Sequence, residues 1–223
     1  MKIDFVSDVA CPWCAVGLNS LEAALTRIGD SLQVDFHVQP FELNPTMDAA
    51  GADAGEYLKT KYGMGDAQLA HNRAVIRERG AAVGFQFGDR ARVWNTFDAH
   101  RLLHWAGLQP QPGAQRRLKH ALLQAYHGDG RNPGDPAVLL DILGTLNLNL
   151  EPSPALDLTS AAEVLNSDRY ALDVRAAEQF WQRAGITSVP AVVINDRHLI
   201  SGGQPPEVFE QALRRIAAKD GAA

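Results

Sequence analysis

Cys11-Pro12-Trp13-Cys14 contains both cysteines of a 223-residue chain. Two thiols spaced Cys-x-x-Cys make one site, and what flanks them decides the fold. The apolar run from Ile3 to Val9 precedes them; after them, Val16, Leu18, Leu21, Ala24, Leu25 and Ile28 recur with a helical period. The motif therefore lies where a strand hands over to a helix N-terminus. Unpaired backbone N–H groups and the positive end of the helix dipole favour an anion there, so Cys11 is expected to ionise more readily than a free thiol. Pro12 suits the first helical turn, where a missing N–H costs nothing and φ is already helical. Cys14 follows nearly one turn later, so its sulfur can close a small disulfide with Cys11. Attack by one thiol and resolution by the other need that spacing.

Other uses of the pair fit less well. A closed structural zinc site needs four ligands, and the chain has no second cysteine pair. Two inert buried thiols would leave Pro-Trp as a poor core segment at a strand–helix junction. A hydrophobic content of 46% with 21% charged residues is that of an ordinary globular protein. A net charge of -5 gives no electrostatic footprint for nucleic acid or an anionic membrane. The basic cluster Arg116-Arg117-Lys119 reads as a solvated helix face. No apolar stretch approaches the roughly 20 residues of a membrane span. Met1-Lys2-Ile3-Asp4-Phe5 enters a strand pattern directly, without a secretory signal, so a chain complete as given is expected in the cytoplasm. In a reducing cytosol the pair is expected to do redox or catalytic work instead of forming a structural disulfide.

Outward from the motif, the first helix runs from about Pro12 to Ile28 and is stopped by Gly29-Asp30. Leu32, Val34, Phe36 and Val38 then alternate with polar residues as a half-buried strand that ends at Pro40. Strand, helix and strand in about 40 residues predict parallel pairing through a right-handed crossover. Phe41 to about Ala54 is irregular, with Asn44-Pro45 as a breaker. Between Glu56 and Gly185 the period is helical, over 57–62, 67–80, 95–106, 114–126, 137–146, 159–165 and 168–184. Asp66, Asn95, Asp135 and Ser167 or Asp168 suit N-caps, and Gly107 and Gly185 suit stops. Leu146, Leu148 and Leu150 alternate with Asn147 and Asn149 between helical flanks and read as a connector. Ala191 to Ile194 is a buried strand, Asn195-Asp196 a tight turn, and His198 to Ser201 its partner. Gly202-Gly203 breaks the pattern, and Pro205-Pro206 opens a last helix. The two ends thus read β-α-β and β-β-α around a helical middle.

That arrangement, with a proline opening the late hairpin, resembles the DsbA family of thioredoxin-fold proteins. Five ordered motifs resemble its FrnE-like branch more closely: Ser7 to Cys14, Pro40-Phe41-Glu42-Leu43-Asn44-Pro45, Asn95 to Leu102, Val189-Pro190, and Ser201-Gly202-Gly203-Gln204-Pro205-Pro206. The resemblance runs essentially end to end. It implies an α/β thioredoxin fold interrupted by an all-helical insertion. Residues 1–42 and 186–223 would form the thioredoxin lobe and 43–185 the insertion. It implies that Cys11 is the exposed nucleophile and Cys14 the buried resolving thiol, supported by Pro12 and Trp13. Pro190 falls at the family's cis-proline, and Val189 then presents its backbone to a bound peptide or thiol like an added strand. Two departures stand out. Pro-Trp replaces the Pro-His of the periplasmic oxidases, which removes an imidazolium beside Cys11 and predicts a weaker oxidant. Ala15 and Val16 replace an aromatic residue and an isoleucine common in the branch.

Asp8 could move a proton or satisfy backbone groups at the turn, the latter being the commoner use of a short acid. Asn95 suits a cap, and Asp98 with Arg101 an intrahelical pair, on a helix that the resemblance places over the site. His100 and His104 have zinc-protease spacing, but Arg101 stands where the catalytic glutamate would be. Trp94, Trp105 and Trp181 read as core or lobe-interface residues. Gly128-Asp129-Gly130 lacks the marks of a phosphate loop.

The leading expectation is a thiol-disulfide oxidoreductase acting on thiol or disulfide substrates, protein or small molecule. It needs no cofactor beyond its own redox-active cysteines and no metal, nucleic acid or membrane partner; its oligomeric state is open. Kappa-class glutathione transferases and 2-hydroxychromene-2-carboxylate isomerases offer an alternative of related architecture, with glutathione as co-substrate. They typically have serine at the first motif position, where this chain has Cys11. A noncatalytic, chaperone-like binding protein is the third reading.

Overall fold

The computed structural model describes residues 1–148 and 155–220. In chain order its elements are β1 (Lys2–Ser7), α1 (Pro12–Ile28), β2 (Asp35–Pro40), β3 (Ala52–Asp53), α2 (Ala54–Tyr62), α3 (Asp66–Ala81), β4 (Arg92–Val93), α4 (Phe97–Gly107), α5 (Ala114–Leu123), α6 (Pro136–Leu148), α7 (Leu158–Leu165), α8 (Ala171–Arg183), β5 (Ala191–Ile194), β6 (His198–Ser201) and α9 (Pro206–Asp220). A 3-10 turn, Gly29–Ser31, follows α1, and a π-helical turn, Gln124–Gly128, follows α5.

β1 lies inside a four-stranded sheet of order β2-β1-β5-β6. Covered on both faces, it is an apolar run more than an alternating one, and Ile3 to Ser7 are all fully buried. β2 pairs parallel to it, from Lys2 opposite Asp35 to Ser7 opposite Pro40. β5 pairs antiparallel on the other side, with Val6 opposite Ala191, and β6 returns antiparallel to β5. The connecting turn places Asn195 (φ 50) and Asp196 (φ 56) in the left-handed region, which short polar side chains tolerate best. This is the β-α-β and β-β-α frame of a thioredoxin fold.

Cys14, Ala15, Leu18, Leu21 and Ala24 of α1 pack with Ile3 and Phe5 and with Phe209 and Leu213 of α9 in one apolar core. α4 to α7 enclose a second core around Leu102, Trp105, Leu118, Leu122 and Tyr126. Trp181 of α8 joins Val6, Phe41, Ile186 and Ala191 on the opposite sheet face. α5 belongs to both larger cores, because Leu118 and Leu122 face the helical one while Leu123 enters the one that holds the cysteines.

Several local expectations are corrected. β2 begins at Asp35 although the alternation starts at Leu32; Leu32 and Val34 pack against the core from outside the ladder. The insertion is not purely helical: β3 and β4 form a short antiparallel pair, Ala52 opposite Val93 and Asp53 opposite Arg92. Two residues per strand leave no period to read. α2 starts at Ala54, earlier than its apolar residues suggest, because Asp53 caps it by accepting the N–H of Glu56 at 2.9 Å. The cap of α3 falls at Gly65, with Asp66 in the first turn. Leu146 to Leu148 are the end of α6 and no connector, while residues 149–150 lie outside the described residues. Arg116 and Arg117 are half-buried and Lys119 is fully buried, so that cluster is no solvated face. A helix wedged between two cores turns more than one of its sides inward.

Candidate active site

The turn from β1 into α1 fixes the site. Cys11 is the N-cap of α1, with extended backbone (φ -89, ψ 114), and Pro12 follows in the first turn. Both cysteines are free thiols. Cys11 is not an open surface residue as the resemblance implied: its relative exposure is 4%, and that of Cys14 is 0%. Cys11 lines a cavity of about 1370 Å³, and its sulfur donates to the carbonyl of Val189 at 3.4 Å.

A hydrogen bond from the Cys14 thiol pulls the Cys11 pKa below the usual thiol range, against burial and the charge of Asp8, and the N–H groups of Cys14 and Trp13 add to the pull. Burial, the hydrogen bond to Cys11 and the Cys11 charge push Cys14 well above that range. The two neighbouring thiols are therefore shifted in opposite directions, Cys11 down and Cys14 up. The alkylation rate of Cys11 with iodoacetamide should accordingly reach half its maximum at a pH below the usual thiol range. In Cys14→Ser, where a hydroxyl replaces the donating thiol, the midpoint should move. A wild-type midpoint at or above the ordinary thiol value would contradict this geometry.

Val189-Pro190 and the Gly202-Gly203 segment close over the first turns of α1. The Val189–Pro190 peptide bond is cis, and the carbonyl of Pro190 accepts the N–H of Gly202 at 2.8 Å. Glycine permits the close approach of these segments: a Cβ at Gly17 would lie 2.9 Å from Cγ of Pro190, and one at Gly203 3.0 Å from the carbonyl oxygen of Trp13. The Gly-Gly of the late motif thus lets the hairpin end rest directly on Trp13.

Asp8 is the anchor beneath the turn and is fully buried. Its Oδ1 accepts the N–H of Ala10 (2.9 Å) and the hydroxyl of Thr96 (2.8 Å), and Oδ2 accepts the N–H of Leu43 (2.7 Å). Nε2 of His100 lies 3.4 Å from Oδ1. Burial alone would raise its pKa, but His100 and the N–H groups of Leu43 and Ala10 hold it down at about 2. A carboxylate so occupied fixes backbone and carries no proton near neutrality. It also joins three of the sequence motifs at one point: residues 7–14, 40–45 and 95–102.

The helix over the site is held by its other residues. Asn95 accepts the N–H of Phe97 at 2.8 Å, one residue before the cap position proper, Thr96. Arg101 pairs with Asp98 at 2.7 Å and also donates to the carbonyls of Val164, Ser167 and Arg169, tying α4 to the α7–α8 connection. His104 lies apart, with its ring centroid 5.0 Å from that of Tyr170. Sequence reasoning missed Thr96, Lys119 and His127. His127, on the π-helical turn, meets the carbonyl of Val9 at 2.8 Å and lines the cavity. Burial, helped by the charge of Arg90, pushes its pKa well down. The inward spacing of Leu118, Lys119, Leu122 and Leu123 was the one signal available for Lys119.

A sheet of order β2-β1-β5-β6 with a Cys-x-x-Cys at the head of its first helix defines the class of thioredoxin-fold proteins. The chain belongs to the DSBA-like thioredoxin domain family, whose model matches residues 2–214. No curated protein matches the sequence significantly. Among solved structures, a probable DsbA oxidoreductase from Streptomyces coelicolor is 32% identical, with a TM-score of 0.85 over 96% of this chain and 89% of that one. Two more distant structures share the fold. The cytosolic disulfide reductase DsbM from Pseudomonas aeruginosa, solved with GSH, is 16% identical (TM-score 0.64; 98% of this chain, 100% of that one). A 2-hydroxychromene-2-carboxylate isomerase is 16% identical (TM-score 0.67; 100% and 98%). Among the described residues no helix is long and apolar enough to cross a membrane.

Proposed function

We propose that this protein catalyses thiol–disulfide exchange with Cys11 as nucleophile and Cys14 as resolving thiol, in the cytoplasm, on protein or small-molecule disulfides. The observation that carries the reading is the pair of adjacent cysteines at the head of α1, shifted in opposite directions, the first lining an open cavity and lying 3.4 Å from the Val189 carbonyl. The Cys11 thiolate attacks a substrate disulfide, which releases one substrate sulfur as thiolate and leaves the other bonded to Cys11. Cys14 then displaces it, so two electrons pass from the dithiol to the substrate. The Val189 carbonyl, with its N–H, offers a bound chain the edge of an added strand.

A second reading rests on the cavity and on the fold shared with an isomerase and a GSH-bound reductase. There glutathione would supply the reactive sulfur. Lys61 and Arg90 line the cavity and are bonded to carbonyl or amide oxygens, which leaves their charge available to a carboxylate-bearing thiol.

Titration of the purified protein across glutathione buffers, read by alkylation and intact mass, tests both. Exchange predicts a two-electron transition between dithiol and Cys11–Cys14 disulfide. A midpoint near about -120 mV marks an oxidant and one near about -270 mV a reductant. A one-glutathione adduct at every ratio, with no internal disulfide, overturns this reading in favour of the second.

A further inference from the structure

Beside the cavity two buried carboxylates meet on a single guanidinium nitrogen. Glu42 follows β2 and is 6% exposed; Glu178 lies on α8 and is 5% exposed. Oε2 of each accepts from Nη1 of Arg175, at 2.8 Å for Glu178. The other oxygen of each, Oε1, is buried with no hydrogen-bond partner among the described residues. Glutamates are almost never so buried unless paired, and here one cation serves two of them. Arg175 is itself fixed by Phe97 of α4, whose ring centre lies 3.8 Å from its Cζ. The segment after β2, α4 and α8 therefore meet at this one charge.

The junction reaches the cavity wall. Phe41, next to Glu42, packs with Trp181 of α8, Ile186 and Ala191. The N–H of Ile186 bonds the carbonyl of Trp181 at 3.0 Å, and Thr187, Ser188 and Val189 then line the cavity together with Glu42. The other charges around the pair are Asp8 on the β1–α1 turn and His100 on α4. Lys61 of α2 bonds the carbonyl of Leu43 and the side chain of Asn44 instead. Burial pushes both carboxyls above the ordinary range. The charge of Glu178 adds to this at Glu42 and that of Asp8 at Glu178, while Arg175 opposes it at both and His100 at Glu42. Two carboxylates on one guanidinium leave a negative charge in excess. One proton between them removes that charge and turns one carboxyl into a donor for the other, which is what the orphan oxygens lack.

We propose that Glu42 and Glu178 share one proton and, with Arg175, form a proton-operated latch that holds α8 on the segment after β2 and so sets the wall carrying Val189. Loss of the proton puts two like charges on one cation and loosens the junction. The latch acts on the wall and on neither sulfur, so it holds for either occupant of the cavity. The folded protein keeps this proton at a pH where the unfolded chain, titrating near 4.5, has lost it, so the contribution to stability falls as pH rises through that window.

Urea unfolding of wild type, Glu42→Gln, Glu178→Gln and the double variant, at pH values from about 4 to about 8, reads the shared proton. Above the ordinary carboxyl range either single variant should be more stable than wild type. The ratio of unfolding constants should grow by up to about tenfold per pH unit across the window, the slope of one proton. The double variant should gain nothing beyond either single one, because there is only one proton to remove; independent carboxyls would give gains that add. Amide hydrogen exchange at residues 186–189 reads the latch. Wild type should quicken relative to either variant through the same window, a comparison in which the intrinsic pH dependence cancels. A stability difference that is constant with pH, or gains that add, overturns the shared proton; an exchange ratio that stays flat while stability titrates overturns the latch. Should one single variant fail to fold, the other alone shows whether the titration disappears.

Discussion

Cys11→Ser should reduce insulin-disulfide reduction to the level of a buffer control, while circular dichroism shows the fold retained. A serine hydroxyl fits the N-cap but supplies no thiolate, and the thiolate is the attacking species. Cys14 cannot substitute, because its sulfur is fully buried and burial holds its proton in place. Cys14→Ser should behave differently: Cys11 still attacks, nothing resolves the product, and substrate accumulates on Cys11 as a mixed disulfide visible by intact mass. Together the two variants separate exchange from a noncatalytic binding role, which predicts that neither cysteine matters. Full reductase activity in Cys11→Ser would sink the catalytic reading outright.

Asp8→Ala should be the most destabilising single change near the site, at about 3 kcal/mol or more, since it strands several buried donors at once. The N–H groups of Leu43 and Ala10 and the hydroxyl of Thr96 all lose their acceptor. The effect should depend on pH in a definite direction. Asp8 titrates at about 2 in the folded protein against an ordinary 3.8. A depressed folded value means that its charge-linked stability is complete above the ordinary value and is lost as pH falls from 3.8 towards 2, an amount of about 2 kcal/mol. Urea titrations of wild type and Asp8→Ala should therefore converge by roughly that much between neutral and strongly acidic pH. A difference in stability that stays constant across that range would show that Asp8 acts by shape and not by charge.

What the chain discloses about itself follows from where its signals are local. The limits of α1 were readable because Pro12 and Gly29 mark both ends and the apolar spacing is unbroken. The β5–β6 hairpin was readable because Asn195-Asp196 is turn chemistry between two apolar runs. That Cys11 and Cys14 lie side by side needed nothing beyond their spacing, although both are free thiols. β3 and β4 escaped because two-residue strands have no period. The end of α6 was misread because Leu-Asn alternation mimics a strand; Asn147 instead turns both side-chain groups to the backbone of Leu156, at 2.8 and 2.9 Å. Lys119 was misread because charge beside charge suggests solvent, whereas burial is decided by what α5 meets on either side. The convergence of Asp8, Leu43 and Thr96 is tertiary, and no local pattern announces it.

β1 is flanked by a strand that follows it within about 40 residues and by one, β5, that arrives only after the whole helical insertion, as Val6 opposite Ala191 shows. Synthesis from the N-terminus therefore makes Cys11 and Cys14 early, and Val189 and Pro190, which lie against them, late. Until then the central strand has one edge unpaired and Cys11 has no carbonyl across from it. The local contacts of the helical segment can form early, while closure of the sheet carries the entropy of a very long loop. Cys11 is thus made long before Val189, the residue whose carbonyl it meets in the folded chain.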